Sequence, residues 1–219
     1  MADILGKIFS FVFGNHSMIA TVIISMFPII ELKGAIPIGM SVDYFGEYAL
    51  DGTSAFLLSL LGSSLVVPII ALIFTPILNW LKRTKLFRKF GEYIDQKVNK
   101  HKSDIDSKVD KVKSGTKSTI IKSLLIFGFV AIPLPLTGVW TGTCVAVAVG
   151  LNLWQTCLSV ILGNIVAGLI IVFVCSVFPE IITILSIVFI AIVLVLVAII
   201  LFKMFLPKKN TPDDIDEGL

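Results

Sequence analysis

Charge is what this sequence has least of for its length. Asp, Glu, Lys and Arg make up 15% of its 219 residues, against about a quarter in a soluble domain. Histidine occurs twice, at His16 and His101, far apart and among polar neighbours, so no imidazole-built metal centre is expected. Cysteine occurs three times, at Cys144, Cys157 and Cys175, always in apolar stretches and without C-x-x-C spacing. That pattern predicts neither a disulfide framework nor a metal site, and the thiols read as small hydrophobes. No nucleophile–base pair, phosphate-binding loop or metal triad stands out, which argues against an enzyme and against a bound cofactor. Residues 1–13 hold Asp3 and Lys7, and no small-residue cleavage site follows an apolar core, so no cleavable leader is expected.

Hydrocarbon is what fills the chain. It is 56% hydrophobic with a mean hydropathy of +0.98, which predicts an integral, multi-pass membrane protein. A helix needs about 20 apolar residues to cross roughly 30 Å of hydrocarbon. Residues 53–80, 153–178 and 181–206 meet that length. Pro68 and Pro76 predict kinks in the first of these, and Trp80 marks its headgroup boundary.

Two further apolar arms, residues 18–30 and 119–132, are too short to span. Each runs into a polar, Pro/Gly-rich break. The first break reads Pro28-Ile29-Ile30-Glu31-Leu32-Lys33-Gly34-Ala35-Ile36-Pro37-Ile38-Gly39. The second reads Pro133-Leu134-Pro135-Leu136-Thr137-Gly138-Val139-Trp140-Thr141-Gly142-Thr143. A Glu or Lys at bilayer centre costs about 2.5–3.5 kcal/mol on insertion scales. Broken backbone at that depth is tolerated only where protein buries it or a wet cavity lines it. The expectation is a re-entrant hairpin over 18–50, turning at Gly34–Gly39, and another over 119–150; a complete helix from Met18 to about Met40 is the competing reading.

Between Leu81 and Lys117 lie 12 of the 18 Lys and Arg residues against five acids, which places this segment in the cytoplasm. Within residues 81–118, Ile94, Val98, Ile105, Val109 and Val112 predict an amphipathic helix from about Glu92 to Lys113. A solvated connector with one apolar stripe explains it, as does contact with anionic lipid headgroups; nucleic-acid binding is not expected. Residues 1–14 read as an interfacial amphipathic helix or a frayed apolar start. Residues 207–219 read as a disordered acidic tail.

The two halves resemble each other. Gly34 aligns with Gly138 at an offset of 104, and Leu60-Leu61-Gly62-Ser63 aligns with Ile161-Leu162-Gly163-Asn164 at an offset of 101. Two re-entrant hairpins return Lys203, Lys208 and Lys209 to the cytoplasm, whereas two full spans leave them outside. The expected fold is therefore an all-α membrane protein: an inverted repeat of hairpin plus transmembrane helix, with one further C-terminal span.

The paired motifs resemble those of the putative small multidrug export protein family. The resemblance covers roughly residues 20–175 and implies kinship with the DedA/VTT superfamily, two opposed re-entrant hairpins and a transport role in the cytoplasmic membrane. Against that family, Lys33 stands where arginine is frequent and Leu136 where glycine is usual. The label implies drug export, and the wider superfamily implies movement of lipids or lipid-linked phosphates between leaflets.

Glu31 is the first candidate site residue. Desolvation disfavours its charged form, and Lys33 or a substrate cation favours it, so it can exchange a proton for substrate charge. Pairing of Glu31 with Lys33 or with turn backbone is the structural alternative. Lys33, with N–H groups at Gly34 and Gly138, offers an anion site, since helix N-termini favour anions. Pro37, Pro133 and Pro135 shape the breaks. Thr137, Thr141, Thr143 and Trp140 line the second tip, or satisfy its own backbone. Asn164 is a polar contact or a helix bridge. The function expected is a secondary transporter or flippase of an amphiphilic, lipid-like or small-molecule substrate, proton-linked through Glu31. Its expected partners are membrane lipids, the substrate and protons, with a homodimer plausible on the thinness of the bundle. Export of cationic drugs, an ion channel and a non-transporting scaffold are the alternatives.

Overall fold

The computed structural model describes residues 13–14, 16–82 and 114–205. The readings for the N-terminal helix, the Glu92–Lys113 helix and the acidic tail lie outside them. Among the described residues the chain is all-helical: α1 (Ser17–Met26), α2 (Glu31–Met40), α3 (Val42–Phe45), a 3-10 turn, then α4 (Gly52–Lys82). After the basic segment come α5 (Ser114–Ala131), α6 (Val139–Ala148), α7 (Leu153–Val177) and α8 (Glu180–Phe205). Three of these helices, α4, α7 and α8, contain stretches long and apolar enough to cross a membrane. Helix α4 continues through Pro68 and Pro76.

The short helices form two hairpins. Helix α2 returns beside α1, so that Gly39 lies against Thr21, and His16 and Ser17 share a cavity with Glu47 to Asp51. Helix α6 returns beside α5 in the same way: Gly142 meets Val130, and Lys122 Nζ donates to Val149 O at 2.8 Å. Packing follows one plan in both halves. Helix α1 packs on α2 and α4 as α5 packs on α6 and α7; α4 crosses α7, α2 also touches α7, and α6 also touches α4. Helix α8 stands outside this plan and packs on α2 and α7.

The first turn is not where the glycines suggested. It runs through Phe27–Ile30, and Gly34, Pro37 and Gly39 all sit inside helix α2. The reason is packing. A Cβ at Gly34 would stand 2.9 Å from Phe189 Cγ of α8, and one at Gly39 would meet the Thr21 side chain, so these glycines permit close helix approach. The turn is made instead by Ile29 (φ 81) and Glu31 (φ 49) in the left-handed region, conformations that cost a non-glycine residue about 1–3 kcal/mol. The second hairpin turns over residues 132–138, with Leu136 at φ 71. Its return helix begins at Val139, inside the second Pro/Gly-rich break.

Other small residues act at helix crossings. A Cβ on Gly62 would collide with Val22 O and Ser25 of α1, and one on Gly163 would stand 2.6 Å from Phe127 O of α5. Helix α7 starts with a capping box: Asn152 Oδ1 accepts from Gln155 N at 3.0 Å, and Gln155 Oε1 accepts from Asn152 N at 3.1 Å. Asp51 Oδ2 accepts from the N–H groups of Thr53 and Ser54 at the start of α4.

Candidate functional site

Each hairpin leaves two helix ends inside the bundle, and a helix end carries unpaired N–H or C=O groups with partial charge. These ends are met by side chains from the opposite hairpin. Glu31, 4% exposed, accepts from the backbone N–H of Val139 (Oε2, 3.1 Å) and of Trp140 (Oε1, 3.0 Å). The Glu31 carboxyl group thus sits on the positive N-terminus of α6. Lys33, 1% exposed, donates to Ile132 O at 2.9 Å, Leu134 O at 3.3 Å and Thr137 Oγ1 at 2.9 Å, just beyond the negative C-terminus of α5. Trp140 Nε1 donates to Met26 O at 3.1 Å, at the C-terminus of α1. Residues two apart in sequence can reach two different helix ends because Glu31 opens α2 from a left-handed turn.

This arrangement redistributes the expected roles. Glu31 and Lys33 are brought together with Thr137, Gly138 and Trp140 at one locus. The Gly34 N–H is not free, because it donates to Ile30 O at 2.8 Å. The anion position at Gly138 is taken by the Glu31 carboxylate, since a Cβ at Gly138 would overlap Glu31 Oε2. Thr137 and Thr141 serve their own turn: Thr141 Oγ1 donates to Leu136 O at 2.6 Å, and Thr137 Oγ1 is within 2.9 Å of Leu134 O and Ile132 O. Pro133 and Pro135 lie in that turn, and Pro37 is buried in α2. Thr143 lies one turn into α6 and is fully buried.

Asn164 is fully buried, and its Nδ2 donates to Ser63 Oγ at 2.8 Å, which in turn donates to Ser59 O at 2.7 Å. Two of these contacts join residues that the sequence alignment pairs. Lys33 and Thr137 are 104 apart, and Ser63 and Asn164 are 101 apart, the two offsets of the sequence alignment. Ser63 was visible in the sequence as the mate of Asn164. Met26 and Lys122 were not: the first contributes a carbonyl, and the second is one lysine near a basic run. The N–H groups of Val139 and Trp140 form a pair of oxyanion donors, filled by Glu31, with the Lys33 side chain held at the same tip.

No curated protein and no solved structure matches this chain. A family model does match: its description reads "Putative small multi-drug export protein", and its match runs over residues 31–170, from the start of α2 through the second tip and into α7. With well over half of its 219 residues matched, the chain belongs to this family of small multidrug export proteins.

Proposed function

We propose that the protein is a multi-pass secondary transporter of the cytoplasmic membrane, moving an amphiphilic substrate between two re-entrant hairpin tips in exchange for a proton carried by Glu31. The reading of the hairpins as re-entrant is supported by length: α1, α2 and α6 have ten residues each and rise about 15 Å, half the hydrocarbon thickness, and the apolar part of α5, Ser118–Ala131, is also too short to span. It is supported as well by the meeting of each hairpin's two outer ends on one side. The internal contacts at offsets of 104 and 101 support an inverted repeat, and with it the kinship to the DedA/VTT plan.

One observation carries the reading. The Glu31 carboxylate occupies two successive N–H groups at the start of α6, each bonded to a different oxygen. Two oxygens of a phosphate or carboxylate headgroup fit the same pair of donors, with the Lys33 ammonium beside them. Substrate oxyanion and Glu31 then compete for one position, and Glu31 leaves it most readily as the neutral acid. This favours a lipid-like or other anionic amphiphile. The family description favours a second reading, export of drugs, in which a cationic amphiphile pairs with Glu31 directly. Neither reading includes a chemical step on the substrate.

The test is reconstitution in liposomes with a proton gradient. Movement of a fluorescent anionic amphiphile is expected for the wild type and its loss for Glu31→Gln, with Lys33→Met also impaired. Movement of a lipophilic cation but not of the anion selects the drug reading. If Glu31→Gln moves substrate as well as wild type at every pH, Glu31 has no part in transport.

A further inference from the structure

Three buried oxygens that the hairpin tips leave unused lie on facing stripes of α6 and α7. Thr143 Oγ1, Thr156 Oγ1 and Asn164 Oδ1 are buried and have no hydrogen-bond partner among the described residues; on α4, Ser59 Oγ and Ser64 Oγ are in the same state. Native interiors hold few such atoms, and an ordered water is the usual reason for one. Helical register puts Thr156, Val160 and Asn164 on one stripe of α7, and Val139 and Thr143 on one stripe of α6. The stripes meet: Val139 and Val160 pack in one cluster with Val67 of α4.

Val139 is also the residue whose N–H holds Glu31. The unpartnered oxygens thus begin about one turn from the Glu31 cap. They run on toward Thr156, near the end where α7 starts and Lys122 caps α6. That end borders the basic segment, because α4 leads into it and α5 leads out of it. Across the bundle, by contrast, Thr21, Ser25 and Ser186 bond to carbonyls of their own helices. Ser41 Oγ, at the far end of α2, stands outside the seam.

We propose that the seam between α4, α6 and α7 holds a file of water connecting Glu31 to the end of the bundle bordered by the basic segment. The inference rests on the reading of Glu31 as the proton carrier. Thr143 and Thr156 both donate and accept, and Asn164 Oδ1 accepts only, so the hydroxyls relay and the amide orients. When a proton arrives, an O–H bond forms on Glu31 as one breaks in the adjacent water. That water recovers its proton from its neighbour, back to bulk water at the basic end. Lys33 is held by three oxygens at the tip and Lys122 by Val149 O at the exit, so neither ammonium needs to enter the file.

The test uses the full-length chain, carrying Thr143→Cys or Val145→Cys with the three native cysteines replaced by alanine, in right-side-out and inverted vesicles. The probe is methanethiosulfonate ethylammonium, a small cation that reacts only where water reaches. Thr143→Cys is expected to react from the basic-segment side roughly tenfold or more faster than Val145→Cys, which lies on the exposed face of α6, a margin modest beside the hundredfold scale of positioned proton transfer. A Thr143→Cys rate equal to or below that of Val145→Cys overturns the proposal. In the wild-type background, Thr143→Val is expected to slow proton-driven transport about tenfold without lowering Tm, with Thr143→Ser restoring it. Unchanged transport in Thr143→Val also overturns it. Labelling reads water independently of transport. A wet seam in a chain that moves no substrate sinks the transporter reading alone, and a dry seam beside Glu31-dependent transport sinks the water file alone.

Discussion

Gly138→Ala isolates the contact on which the site depends. The backbone at Gly138 has φ −98° and ψ −156°, an extended conformation that alanine adopts without strain. Any cost of the methyl group is therefore steric, and the atoms it meets belong to the Glu31 carboxylate. The methyl group evicts that carboxylate from the N–H groups of Val139 and Trp140. Hydrogen bonds to a charged group contribute about 1.5–3 kcal/mol each, so losing both costs roughly 3–6 kcal/mol before relaxation. Gly128→Ala is the control: it is interior to α5, its Cβ meets nothing within 4 Å, and alanine is favoured there by about 0.5–1 kcal/mol. The assay is equilibrium unfolding in mixed micelles, followed by tryptophan fluorescence. The decisive measurement is the same substitution in a Glu31→Ala background, where the methyl group has room. A coupling of at least 2 kcal/mol between the two positions is expected, within the range known for contacting residues. Equal cost in both backgrounds would show that Glu31 does not occupy the α6 N-terminus, and the site would have to be rebuilt.

Other perturbations probe neighbouring contacts. Lys33→Met strips Ile132 O, Leu134 O and Thr137 Oγ1 of their shared donor and leaves Glu31 without its buried counter-charge; about 3–5 kcal/mol of stability should be lost in the same titration. Trp140→Phe keeps the backbone N–H on Glu31 but removes the indole bond to Met26 O, so about 1 kcal/mol is expected, read as a lowered unfolding midpoint. Leu136→Gly relieves a left-handed leucine at φ 71 worth about 1–2 kcal/mol, partly offset by about 0.5–1 kcal/mol of glycine entropy, so Tm should hold or rise slightly. Asp51 is held below the usual carboxylate range by its bonds from Ser54 and Thr53. Its depressed folded value means that the cap on α4 stabilises above the unfolded carboxylate range and is lost as pH falls through the lower, folded one; Asp51→Asn should flatten that part of a Tm-versus-pH curve.

Much of the fold was legible because hydrocarbon imposes simple arithmetic. The spans at 53–80, 153–178 and 181–206 appear as α4, α7 and α8 within a few residues of their expected ends. The short arms at 18–30 and 119–132 appear as the outward limbs of hairpins. Two hydrogen bonds, Lys33–Thr137 and Ser63–Asn164, fall at the alignment offsets of 104 and 101. What misled was the double use of glycine. Gly34 and Gly39 read as turn residues, yet each exists to let another helix close in, Phe189 of α8 in one case and Thr21 of α1 in the other. The turn itself uses Ile29, a β-branched residue that carries no turn signal and is held at φ 81 only by what surrounds it.

The same double use explains why the site was legible as a set of residues but not as a set of contacts. Glu31 and Lys33 stood out because charge is scarce in oil, and their nearness in sequence invited pairing with each other. The structure sends them apart, the acid to a helix start and the base just past a helix end, both in the other hairpin. Two charges of opposite sign placed on two helix ends of opposite polarity hold the tips together without a direct ion pair. They also make the hold conditional. Neutralising Glu31 removes the anion from α6 and leaves Lys33 facing carbonyls with its counter-charge gone, so one proton loosens both ends of the clasp. An apolar pair of similar volume would pack as well and hold more firmly, as buried ion pairs replaced by hydrophobes often show. On the proposed transport reading, an ionic clasp gives up stability for a hold that one proton can weaken, which a transporter whose tips part would use.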